Sequence, residues 1–208
     1  MTQDSSFAEQ LASSAPTPGG GAAAARVGRY ATSLLRMVTS ITLTKSKNLT
    51  PEATRRVKAL DASAVSLAGR FDELEAEDMA AFEGFLDAMR LPKGSDDEKA
   101  TRKAAMRAAA KRATDAPVAT LDAALETLSA AGDLIELGSE IRLRAESDVG
   151  CAVELAAAAF RAAEYNVCVN LSGLGELRAE YEAKLAERKQ SLEERYPKLR
   201  AAVLDWLK

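Results

Sequence analysis

A chain of 208 residues with a formal net charge of −3 presents no bulk basic field for nucleic acid and is long enough for one large domain or two small ones. It contains no histidine, which excludes Ser-His-Asp and Cys-His pairs and His-ligated zinc. Proton transfer is left to Asp, Glu, Lys, Tyr or water.

Residues 5–13 predict a short amphipathic helix with Phe7 and Leu11 one turn apart. No cationic stretch leads into an apolar one at the start, so a secretory leader is not expected. Pro16-Thr17-Pro18-Gly19-Gly20-Gly21 follows and runs into Ala22-Ala23-Ala24-Ala25. The prolines stiffen the entry, the glycines permit positive φ and close backbone approach, and the alanines favour a helix. Such a loop leaves free N–H groups at a positive helix end, a cradle for an anion. The alternative is a tight turn into a closely packed helix. Neither GxGxxG nor GxxxxGK[ST] is present and no strand precedes the loop, so dinucleotide and P-loop folds are unsupported.

Residues 22–44 predict a helix with Val27, Ala31, Leu34, Leu35, Val38 and Ile41 on one side. Arg26, Arg29, Ser33, Arg36 and Ser40 fall on the other, which reads as a solvated face or else an anion-binding surface. Lys45 and Lys47 close the segment. Thr50-Pro51-Glu52 starts a long helix reaching about Arg90. Within it Asp78 sits among apolar neighbours, a costly position for a carboxylate unless a salt bridge pairs it. Leu91-Pro92-Lys93-Gly94 breaks that helix, and Ser95-Asp96-Asp97-Glu98 caps another that continues to around Leu137. A kink or break is expected near Pro117.

Residues 138–147 read as a polar connector. From Asp148 to Leu171 the chain is almost entirely apolar, the mark of a helix central to its fold. Glu154, Arg161, Glu164, Asn166 and Asn170 argue against a membrane span. Cys151 and Cys168, on one helix, lie about 25 Å apart along its axis and cannot pair with each other. They read as small core residues in a reducing cytoplasm. A charged helix over 173–195 and a short one over 197–207 complete a single all-α bundle of six to eight helices.

Several of these stretches occur together in one family. Ala12-Ser13-Ser14-Ala15-Pro16-Thr17-Pro18-Gly19-Gly20-Gly21, Met37-Val38, Asp78 with Phe82, Leu91-Pro92-Lys93, Asp97-Glu98-Lys99 with Arg102, Ser147-Asp148, and Asn166-Val167 with Asn170-Leu171 keep its order and spacing over roughly residues 7–175. The chain thus resembles the cyclodeaminase/cyclohydrolase family, which comprises bacterial methenyltetrahydrofolate cyclohydrolases and the C-terminal domain of formiminotransferase-cyclodeaminase. It departs at Ala22, where the family has Ser, and at Arg26, Arg29 and Arg36 in a helix otherwise small and apolar. It departs again at Thr44, Ser46 and Asn48, and at Ser139 after Gly138.

The resemblance implies a mostly antiparallel helical fold, a homodimer, and folate sites lined by the glycine loop. It implies hydrolysis of 5,10-methenyltetrahydrofolate to 10-formyltetrahydrofolate, with no cofactor beyond the folate and no metal. The alternatives are ammonia loss from 5-formiminotetrahydrofolate, or a non-catalytic folate-binding protein on the same scaffold. No nucleic-acid or membrane partner is expected. The methenyl carbon is an amidinium-like electrophile, so a carboxylate can both attract the cation and take a proton from water. Asp148 is the first candidate, because Ser147-Asp148 opens the most apolar helix; the other reading of Asp148 is a helix N-cap. Asp78 and Lys93 are the further catalytic candidates. Pro18, Gly19, Gly20, Gly21, Ser147, Asn166 and Asn170 are expected to bind substrate, with Lys45 and Lys47 steering its glutamate tail.

Overall fold

Caps place the starts of the two longest helices. The Thr50 hydroxyl accepts the Ala53 N–H at 3.0 Å with Pro51 in the first turn, and helix α3 runs Pro51–Arg90. Ser95 and Glu98 exchange hydrogen bonds with each other's backbone N–H groups at 2.9 and 3.2 Å, and α4 runs Asp96–Glu136. The computed structural model describes residues 3–46, 49–138 and 145–208, with side chains from residue 6. Its other helices are α1 (Gln3–Leu11), α2 (Gly20–Lys45), α5 (Glu146–Asn170) and α6 (Arg178–Trp206). Two 3-10 turns, Leu171–Gly173 and Gly175–Leu177, join α5 to α6. Among the described residues there is no strand, and the fold is all-α as expected.

Neither expected proline break occurs. α4 passes through Pro117 without interruption, and one helix covers what the sequence divides at Pro197. A proline removes one donor and crowds one carbonyl. Burial on both sides of each proline outweighs that. Ala116, Val118 and Leu121 flank Pro117 in the core, while Leu185, Leu192 and Val203 hold α6 on both sides of Pro197.

Helix α5 is the centre. Val149, Ala152, Val153, Ala156, Ala157, Phe160, Ala163 and Val167 are buried, and α2, α4 and α6 pack around it. α3 lies on the far side of α2 and α4. Alanine and glycine at the contacts let these backbones come close; a Cβ on Gly28 would collide with the Phe71 ring. Among the described residues six threonines are buried: Thr32, Thr39, Thr42, Thr114, Thr120 and Thr127. Each donates its hydroxyl to a carbonyl one turn back in its own helix, at 2.7–3.1 Å, so no buried hydroxyl is left unmade.

Two expectations change. Cys151 and Cys168 are exposed, not core. Two of the three α2 arginines do more than face solvent. Arg26 donates its Nε to Glu75 at 2.6 Å, and Arg29 reaches Asp72 at 3.1 Å, both across to α3. Arg36 is exposed. Among the described residues no helix is long and apolar enough to cross a membrane.

A candidate active site at the glycine loop

The first turn of α2 is built on backbone. Gly19 is its N-cap, with φ −122° and ψ −160°, and supplies no side chain to the free N–H groups. The glycines do not serve a left-handed backbone: among the described residues only Gly175 has positive φ. They serve close approach. A Cβ on Gly21 would run into the Asp78 carboxylate, and one on Gly20 would stand 3.4 Å from the Asn166 amide. Pro18 is buried behind them after a cis Thr17–Pro18 peptide, and the Thr17 hydroxyl donates to Glu83 at 3.2 Å.

Asp78 occupies the cradle. Its carboxylate accepts the Ala22 N–H, so the positive end of α2 faces an anion from the chain itself. Burial pushes its carboxyl above the ordinary value of 3.8, and the Ala22 hydrogen bond pulls it part of the way back. On α3 the acids Asp72, Glu75 and Asp78 recur every three residues. Arg29 neutralises the first and Arg26 the second. Among the described residues no cation pairs the third, so the expected salt bridge is absent. The result is a half-buried carboxylate, ready to exchange a proton, beside a glycine wall.

Two amides complete this corner. Asn166 donates to the Ala162 carbonyl at 2.9 Å, and its amide lies against Gly20. Asn170, one turn on, donates to the Ala113 carbonyl of α4 at 2.6 Å and pins the end of α5. Arg26 lies under the Phe7 ring, 3.9 Å from its centroid, so α1 is tied to the same wall.

The structure therefore gathers Pro18, Gly19, Gly20, Gly21, Asp78 and Asn166, with Asn170 adjoining. It places the other expected residues elsewhere. Lys93 is exposed in the α3–α4 connector. Lys45 ends α2, about 36 Å along its axis from Gly21. Lys47 lies outside the described residues, as do Asn48 and Ser139. Ser147 and Asp148 stand in the first turn of α5, about 27 Å along the helix from Asn166. Asp148 is half-buried and is not the N-cap, a position held by Ala145. Ser147 borders an apolar cavity of about 450 Å³ between α5 and α6, with Val153, Val203 and Leu207. Within one chain Asp148 does not meet the glycine loop. Among the described residues no group of three His, Cys, Asp or Glu side chains could hold a metal ion.

Sequence reasoning missed Glu83, Glu75 and Asp72. A signal was available: two arginines three apart on one helix match two acids three apart on the next, as antiparallel packing requires.

The sequence profile of the formiminotransferase-cyclodeaminase family matches residues 4–191. A methenyltetrahydrofolate cyclohydrolase of Methylorubrum extorquens is 40% identical over 87% of this chain and 84% of its own length. A formimidoyltransferase-cyclodeaminase of Sus scrofa is 27% identical over 97% of the chain, which spans only 36% of that larger protein. The crystal structure of a formiminotetrahydrofolate cyclodeaminase from Thermotoga maritima superposes with a TM-score of 0.82, covering 100% of this chain and 98% of its own at 23% identity. That last likeness speaks for the fold.

Proposed function

The chain belongs to the formiminotransferase-cyclodeaminase family, and from that premise we propose that it hydrolyses 5,10-methenyltetrahydrofolate to 10-formyltetrahydrofolate. The observation that carries this reading is the 40% identity to a cyclohydrolase across most of both chains. The glycine-loop corner supports it chemically. The substrate is a cation delocalised over N5, the bridging carbon and N10, and Asp78 is the unpaired carboxylate that can attract it.

In the proposed mechanism Asp78 takes a proton from water as the oxygen bonds to the bridging carbon. The hydroxyl adduct then collapses to the N10-formyl carbonyl while the C–N5 bond breaks. N5 takes up one proton, and the step as a whole releases one. Gly20 and Gly21 leave room for the folate ring edge beside Asn166, whose amide oxygen can accept from a ring N–H. Half-burial of Asp78 leaves few waters competing for the attacking position.

The protein acts as a homodimer in this reading. The uncovered face of α5 carries Cys151, Ala158, Tyr165 and Val169, with Tyr165 75% and Val169 69% exposed. Beside it α2 adds Tyr30 and Met37, at 40% and 38%. A second copy laid antiparallel along α5 covers this surface. It also carries its own Asp148 to the Asn166 end of the first copy, so both carboxylate candidates serve one shared site. Two free, exposed thiols suit a reducing cytoplasm, where we place the protein.

The test is loss of methenyltetrahydrofolate absorbance by purified protein, measured against the spontaneous rate. Acceleration by orders of magnitude is expected, with no ammonia released from 5-formiminotetrahydrofolate. Ammonia release without methenyl hydrolysis makes the protein a cyclodeaminase. Binding of 5-formyltetrahydrofolate with neither turnover makes it a folate-binding protein.

A further inference from the structure

Pro117 leaves a gap in the hydrogen bonding of α4. An α-helix bonds each N–H to the carbonyl four residues back, and proline has no N–H to give, so the Ala113 carbonyl loses its partner within the helix. Thr114, Ala116 and Pro117 are buried, so the gap lies on the packed side of α4. Asn170, the last residue of α5, fills it: its amide donates to the Ala113 carbonyl at 2.6 Å. The other interior proline offers a comparison. Pro197 frees the Glu193 carbonyl of α6 in the same way, but both residues are exposed, and solvent can serve that carbonyl. In α4 the freed carbonyl instead receives a side chain from a neighbouring helix.

The same stretch of α4 holds the chain that follows. Asp115 accepts the Tyr181 hydroxyl and, at 2.7 Å, the Lys111 ammonium, and Tyr181 is only 2% exposed at its place in α6. Gly173, between α5 and α6, passes so close that a Cβ on it would stand 3.0 Å from the Ala110 Cβ. Residues 110–115 thus fix where α5 stops and α6 starts. Asn166 lies one turn before Asn170 on the same face of α5, with its amide against Gly20 of the glycine loop. Helix ends fray unless they are tied down, and this contact is carried by the last turns of α5. The bond to Ala113 is that tie.

We propose that Asn170 is a positioning residue: by bonding the carbonyl that Pro117 leaves free, it fixes the end of α5 and seats Asn166 beside the glycine loop, where the substrate ring binds. The inference rests on the folate reading above for its ligand, and adds to it the pair of residues that places one wall of the site. Asn170 acts through Asn166 and not on the reacting atoms.

The experiment is a double-mutant cycle of Asn170→Leu and Pro117→Ala, read by thermal unfolding without substrate and by kcat and KM for methenyl hydrolysis. Asn170→Leu strands the Ala113 carbonyl, and a loss of about 5 °C in melting temperature is expected. Pro117→Ala returns an N–H to position 117, so in that background the same Asn170 substitution costs under about 2 °C. KM behaves differently. Asn170→Leu raises it about fivefold in both backgrounds, with kcat changed less than about twofold, because the helix repairs its own bond while α5 stays untied. Pro117→Ala alone leaves both constants near those of the unaltered protein. A KM that recovers together with the melting temperature makes Asn170 a structural residue only and overturns the inference. Equal thermal losses in the two backgrounds overturn the pairing with Pro117, and the inference with it. So does a KM that Asn170→Leu does not move. If the unaltered protein does not accelerate hydrolysis, the folate reading falls and takes the positioning role with it, while the thermal cycle still reads the pairing alone.

Discussion

Asp78 shows how one residue changes meaning when its neighbours are known. In the sequence it is a carboxylate among apolar residues, and a salt bridge is the simplest way to keep it there. In the structure its partner is the Ala22 N–H, and burial raises its pKa above 3.8. A raised carboxyl pKa favours the protonated native state, so its contribution to stability falls as pH rises through the folded pKa. At neutral pH the ionised group is therefore held at a cost to stability. Asp78→Asn is expected to slow methenyl hydrolysis by about 100-fold or more without lowering the melting temperature at pH 7. In the unaltered enzyme the acid limb of kcat should be shifted upward from the ordinary carboxylate value, which a pH–rate profile reads directly. Gly21→Ala drives a methyl into the same carboxylate; a loss of about 2 kcal/mol in urea unfolding is expected, together with reduced activity. The glycine loop, Asp78 and Asn166 were all named from the sequence. That they touch was not, because each lies on a different helix.

Among the elements, α2 and α3 show how charge sets register. Their antiparallel packing is locked by Arg26 with Glu75 and by Arg29 with Asp72. The first pair is mostly buried, with side chains 20% and 13% exposed, and the second is open to solvent. Removing one member of the buried pair strands the other. Arg26→Ala is expected to cost about 2 kcal/mol in denaturant unfolding, and adding Glu75→Ala should restore part of that loss. Arg29→Ala, at a surface pair, should cost well under half as much. Periodicity and caps made the bounds of α3 and α4 legible to within a residue. The two proline breaks misled, because proline propensity is local while the burial that overrides it comes from other helices.

On the scale of the whole molecule, α5 combines a buried interior with an open face. Its composition marks it as central, and three helices do pack on it. The fourth side, with Tyr165 and Val169 exposed, is apolar surface that a second copy can cover. On the dimer proposed above, Tyr165→Glu is expected to halve the mass measured by light scattering and to slow hydrolysis sharply if Asp148 acts from the partner. An unchanged mass overturns this dimer contact.

The sequence by itself determined the helical class, the starts of the long helices, the glycine loop and the family, since each is written in local spacing, capping residues or short ordered motifs. Tertiary structure alone decided that Asp78 fills the loop's positive end, that Arg26 and Arg29 of α2 bind α3, and that Asp148 lies a helix length from Asn166. It also decided that Asn170 meets the Ala113 carbonyl. Those are contacts between residues tens of positions apart, and periodicity, which reports the face of one helix, carries no information about which other helix that face will meet.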